Sequence, residues 1–135
     1  MLELPALSTI NLLAVLVAAL AHTVIGLIWF QPWLFGLKWA EYTKATLNPA
    51  TKWLPAGLIG HFVAAFFLAF IIKLTHATTF WGGALAGILI CIGYMATLEV
   101  GELIWEKIPF KLYLLRVGNQ LLGMAVMGGI LASWQ

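Results

Sequence analysis

Residues 4–37 read LPALSTINLLAVLVAALAHTVIGLIWFQPWLFGL, thirty-four consecutive positions without an Asp, Glu, Lys or Arg. A helix needs roughly 20 apolar residues to cross a hydrocarbon core about 30 Å thick. This stretch therefore has room for a complete crossing and its exit. Three more charge-free windows follow, at 53–72, 74–98 and 117–135, with 20, 25 and 19 residues. Together they predict four transmembrane helices, at 8–30, 55–74, 79–106 and 111–134.

Composition agrees with that reading. Of 135 residues, 63% are apolar and 9% charged, against about 25% charged in an ordinary soluble domain. Mean hydropathy is +1.01. Little chain remains for a soluble part, so residues 1–135 are expected to form one integral membrane domain. Net charge is only +2, and the basic residues are scattered, which excludes nucleic acid as an expected partner. The lone Cys91 lies inside an apolar window and reads as a small core residue, with no disulfide framework or thiol chemistry implied. Ala19 and Ala21 offer a small-x-small pattern, but no basic region precedes them and the apolar run continues to Phe30. An uncleaved first helix is expected.

Local punctuation supports the spans. Pro55 stands at the start of the second, where its missing N–H is harmless, and Pro109 separates the third from the fourth. Thr78 and Thr79 supply a cap for the third. Between the first two spans, Trp33, Leu34, Leu37 and Ala40 alternate at helical spacing with Lys38, Glu41 and Lys44. That pattern predicts a short cytoplasmic segment lying in the membrane interface, with an aromatic-anchored loop as the alternative. Lys38, Lys44, Lys52, Lys107, Lys111 and Arg116 fall on the side of the 1–2 and 3–4 connections, and Lys73 alone on the other. The positive-inside rule then places those connections in the cytoplasm and both termini outside, in a bacterial inner membrane. Trp29, Trp33, Trp39, Trp53 and Trp105 mark one edge, and Trp81 and Trp134 the other.

Leu-Ile-Trp occurs at 27–29 and 103–105, each soon followed by proline, and Gly60-His61 parallels Gly118-Asn119. Two hairpins of one orientation, related by duplication, would produce this pattern, as would chance in so restricted an alphabet. Gly83 and Gly87 form a GxxxG, Gly57, Gly60 and Ala64 mark one side of the second span, and Gly118, Gly123 and Gly128 punctuate the fourth. Such positions let helix backbones approach, either within one chain or between copies.

Polar residues inside spans are where function would sit. Glu99, Glu102 and Glu106 are spaced i, i+3, i+7 and share a helical face. At 1.5 Å per residue, His22, His61, Glu99 and Asn119 fall at a common depth, about 10–12 Å below the cytoplasmic interface. Residues equally far from Pro109 lie side by side, which sets Glu102 against Arg116 as a structural ion pair. Glu106 reaches water with Lys107, and His76 reads as an interfacial residue. Glu99 has no basic partner at its level. The cluster of His22, His61, Glu99 and Asn119 admits three readings: a proton- or ion-coupled transport site, a metal site with His22, His61 and Glu99 as ligands, or a hydrogen-bond network that only holds the bundle together.

Trp29-Phe30-Gln31-Pro32-Trp33-Leu34-Phe35-Gly36-Leu37-Lys38-Trp39, together with LYLLRVGNQLLGMAVMGGILASW at 112–134, resembles the small bacterial membrane proteins of domain-of-unknown-function family 1761. The likeness runs from Ile10 to Trp134. In that family a Trp-aromatic-x-Pro and Leu-Phe-Gly segment follows the first helix, and a Gly-rich helix closing with Trp ends the chain. Here the lysine that resemblance places directly after Phe-Gly comes one position later, at Lys38. The resemblance implies a multi-helix membrane protein and supplies no activity.

The sequence therefore predicts an all-α, four-helix transmembrane bundle that acts as a scaffold or accessory protein, with a small proton- or ion-coupled transporter or channel as the alternative. No Ser-His-Asp pattern, Gly-rich phosphate loop, HExxH or paired cysteine motif appears, so neither an enzyme nor a bound cofactor is expected. Expected partners are the lipid bilayer, further copies of the chain, and a small ion or hydrophobic ligand.

Overall fold

The computed structural model describes residues 3–45 and 54–135. Lys52 and Trp53, used above for orientation and for the aromatic belt, lie outside the described residues. Everything regular among the described residues is helical, and four helical stretches are long and apolar enough to span a membrane: Leu12–Trp29, Leu54–Thr75, Phe80–Trp105 and Phe110–Ser133.

The first span, α1 (Leu12–Trp29), starts four residues later than expected because Asn11 caps it. The Asn11 side chain accepts from the Leu13 and Ala14 amides at 3.1 and 3.2 Å, leaving Leu7–Thr9 as a separate 3-10 turn. Beyond α1 the chain makes a π-helical turn over Pro32–Gly36 and continues as α2 (Leu37–Thr43). Gly36 is obligatory there. A Cβ on it would overlap the Phe30 carbonyl and lie 2.9 Å from the Gln31 carbonyl, to which the Gly36 amide is hydrogen-bonded. The turn folds the motif's aromatics onto one another, Trp29 against Phe35 and Phe30 against Trp39, with ring centroids 4.6 and 6.0 Å apart.

The second span is α3 (Leu54–Thr75). The third is interrupted: α4 (Phe80–Ile90), capped by the Thr79 hydroxyl, passes through a π-helical segment at Cys91–Ala96 into α5 (Thr97–Trp105). The Thr97 hydroxyl donates to the Ile92 carbonyl, and the Tyr113 hydroxyl to the Ala96 carbonyl. Side chains thus serve carbonyls of the widened turn, which could not be left bare in lipid.

The fourth span, α6 (Phe110–Ser133), is the hub. It packs on α1, α3 and α4, while α4 and α5 reach the others chiefly through it, apart from the hairpin with α3. On one side, α1, α3 and α6 enclose a core of Val15, Ala18, Ala19, Ala65, Leu68, Ile72, Met127 and Leu131. On the other, the GxxxG of α4 is used within the chain: a Cβ on Gly83 or Gly128 would strike the other's carbonyl, and one on Gly87 would strike that of Met124. The backbones of α4 and α6 are in direct contact, as small residues permit.

The two Leu-Ile-Trp words are not used alike. Trp29 Nε1 donates to the Leu115 carbonyl at 3.1 Å, its ring lying over Gly118, whereas Trp105 is 83% exposed. Outward-facing positions are otherwise large and apolar, Trp81 at 80% and Leu98 at 77% among them, as suits a surface solvated by lipid tails. Asn11 Nδ2 meets the Trp134 carbonyl and Gln135 Nε2 the Ala77 carbonyl, so both chain ends and the α3–α4 turn share one end of the bundle.

Candidate functional site

Partway along α1, Ala18 and Ala19 leave room for neighbours, and His22 follows on the buried side with 5% exposure. Its ring fits because α6 offers a glycine: a Cβ on Gly123 would fall onto the imidazole. Across from it, His61 of α3 stacks on His22, with centroids 4.1 Å apart and planes inclined by 28°. His61 Nδ1 is 2.8 Å from the Thr23 hydroxyl, which also donates to the Ala19 carbonyl one turn back. One turn toward the motif, Gly26 of α1 faces the Asn119 amide. Gly26 is four residues after His22 and Asn119 four before Gly123, so the two polar residues stand on adjacent rungs of the α1–α6 contact.

Glu99 lies elsewhere. It projects from the first turn of α5 toward α6, and its Oε1 accepts from Gln120 Nε2 at 2.7 Å. One turn on, Glu102 accepts from Arg116 in an ion pair about a third exposed. Acids three apart on α5 thus meet donors four apart on α6. Glu106 is the C-cap of α5, Lys107 follows in a left-handed conformation, and His76 does the same after α3.

The structure therefore divides the expected cluster into two halves around α6. His22, His61 and Asn119 occupy the side facing α1 and α3, and Glu99 occupies the side facing α5. The metal candidates His22, His61 and Glu99 are not gathered: among the described residues no group of three or more His, Cys, Asp or Glu side chains is placed to hold an ion. Imidazole lone pairs lie in the ring plane, and two stacked, nearly parallel rings do not converge theirs on one point.

Four polar atoms of this layer are buried with no hydrogen-bond partner: His22 Nδ1, Glu99 Oε2, Asn119 Oδ1 and Gln120 Oε1. Three are oxygens that only accept unless protonated, and the fourth is an imidazole nitrogen. Sequence reading missed Gln120 and Thr23. The signal for Gln120 is its place four residues after Arg116, on the row that meets the α5 acids. Thr23 carries none beyond its position next to His22.

Residues 13–132, nearly the whole chain, match the family described as protein of unknown function (DUF1761). The chain belongs to domain-of-unknown-function family 1761. Neither the curated proteins nor the solved structures hold a match to this family-1761 chain. The motif that carried the resemblance is the Trp29–Trp39 aromatic turn closed by Gly36, and the Gly-rich closing helix is α6. Both hold the polar layer in place, Trp29 from one end and Gly123 from within.

Proposed function

We propose that this family-1761 chain is a small proton- or ion-coupled membrane transporter or channel whose coupling groups lie on both sides of α6: His22, His61 and Asn119 with Thr23 on one, and Glu99 with Gln120 on the other. The observation that carries this is the set of four buried, unpartnered atoms. A network that merely holds helices together gains by being complete, and a half-satisfied one is worse than an apolar core. Three orphan oxygens and an imidazole nitrogen within the spans suit a guest that brings a hydrogen or a positive charge: a proton, a water or a small cation. The reading includes no enzymatic chemistry.

Topology and assembly belong to the same proposal. Lys38, Lys44, Lys107, Lys111 and Arg116 collect at the end opposite the chain termini, which favours an inner-membrane protein with both termini outside the cytoplasm. Three spans packed around α6 make a bundle too small to surround a pathway, so conduction calls for at least two copies. The outward side of α3, where nothing lies within 4 Å of a Cβ on Gly57 or Gly60, leaves space for one.

The test is flux in proteoliposomes. Wild type is expected to raise proton or cation leak above empty vesicles, and the double variant Glu99→Gln, His61→Ala to return it to that level. Equal leak in both removes the transport reading. A second reading, a scaffold or accessory subunit, draws support from the Glu102–Arg116 pair and the α4–α6 glycine contact, which only fasten helices together.

A further inference from the structure

At the end of the bundle that holds both chain ends, a cavity of about 10 Å³ lies between α1, α3 and α6. Its floor is apolar, made by Ala14, Ala69 and Leu131, one buried residue from each helix. Its rim is polar: Asn11, the cap of α1, Lys73 in the last turn of α3, and Trp134 and Gln135 after α6. Carbonyls already hold the rim amides. Asn11 Nδ2 meets that of Trp134, and Gln135 Nε2 donates to those of Ala77 and Ala132 at 2.6 and 3.2 Å. Lys73 is different. The ion pairs are Lys38–Glu41 and Glu102–Arg116, so among the described residues Lys73 has no acid beside it. Every other described Lys or Arg lies toward the opposite end of the bundle.

We propose that this cavity is a phospholipid site, in which Lys73 holds the phosphodiester of a headgroup and one phosphate oxygen enters above the apolar floor. The site stands apart from the polar layer and does not depend on transport.

Size decides between a membrane lipid and a soluble anion. A space of about 10 Å³ takes one water-sized group, whereas pockets that capture free ligands run to roughly 300–1,000 Å³. The ligand is therefore one that leaves most of itself outside and is supplied at high local concentration, as a headgroup is at a membrane surface. A lysine with an apolar floor beneath it can bury its stem and keep its charge at headgroup depth. Trp134, 41% exposed, adds an indole of the kind that marks the membrane interface. Leu12 and Leu13, next to Asn11, and Ile71, two residues before Lys73, are exposed and offer acyl chains an apolar surface.

Native mass spectrometry of the delipidated full chain in detergent tests the site. The probes are phosphatidylglycerol, a diacylglycerol with the same chains and no phosphate, and inorganic phosphate. Wild type is expected to hold one phosphatidylglycerol in preference to the diacylglycerol, and millimolar inorganic phosphate should not displace it. Lys73→Gln should weaken the binding about tenfold, the worth of one charge-assisted hydrogen bond. Lys73→Arg should keep it, and Lys111→Gln, at the opposite end, should change it little. Equal binding of the diacylglycerol, or displacement by inorganic phosphate, overturns the proposal from wild type alone, whether or not a variant folds. Undiminished binding in Lys73→Gln overturns it too, as does an equal loss in Lys73→Gln and Lys111→Gln, which would trace the binding to overall charge.

Discussion

Alanine placed at Gly83 and at Gly57 should act in opposite directions, although both are helical glycines in apolar spans. At Gly83 the new Cβ would lie 2.7 Å from the Gly128 carbonyl carbon and would also overlap the Gly128 oxygen. Carbon atoms prefer separations of about 3.5–4.0 Å. The α4 and α6 backbones must therefore move apart by close to 1 Å, which also disturbs Gly87 against Met124. Overpacking of this kind costs about 1–3 kcal/mol, partly offset by up to about 1 kcal/mol of helix propensity gained on replacing glycine. At Gly57 nothing lies within 4 Å, so only the propensity gain remains. Reversible unfolding in mixed detergent–SDS micelles, followed by helical circular dichroism and tryptophan fluorescence, would measure both. The expected result is Gly83→Ala destabilised by about 1–2 kcal/mol and Gly57→Ala unchanged or slightly stabilised. Equal effects at the two sites would refute the backbone contact between α4 and α6.

Other outcomes follow from single contacts. Glu102→Gln and Arg116→Gln should each cost about 1–2 kcal/mol, discounted for one-third exposure, and a double-mutant cycle in the same assay should return a favourable coupling; zero coupling would dismiss the pair as a fastening. Gly36→Ala should lose about 3 kcal/mol or fail to fold, because the new methyl collides with backbone rather than a movable side chain, and urea or SDS midpoints would report it. Trp29→Phe loses both the Nε1 bond to Leu115 and the outer indole ring that lies over Gly118, for about 2 kcal/mol, read as a midpoint shift with unchanged helicity.

The spans were legible because hydropathy at the scale of twenty residues is a strong signal and the charge-free windows set it without ambiguity. Finer features depended on weaker cues. The start of α1 is fixed by one asparagine, and an apolar window cannot register a cap. The π-helical turn at Cys91–Ala96 leaves no mark in hydropathy, since one widened turn changes which way residues face but not how apolar they are. Counting from Pro109 gave heights along the hairpin, and Glu102 does meet Arg116. Glu99 meets Gln120 and not Asn119, because height says nothing of azimuth: one residue turns a helix face by about 100°. That single step separates a residue looking at α5 from one looking at α1, and it is why a cluster level in depth proves divided in plan.

The central position of α6 also orders events in time. A ribosome emits α1, α3 and the α4–α5 span before it emits α6, and until then His22 lacks its glycine seat, Glu102 its guanidinium and α4 its contact ridge. A half-made chain therefore waits in the membrane with Glu99 and Glu102 unaccompanied, in the condition that quality-control proteases inspect. Late arrival of the helix that completes the α1–α6, α4–α6 and Glu102–Arg116 contacts makes assembly depend on its last element, so lesions in α6 should first appear as missing protein and only afterwards as altered function.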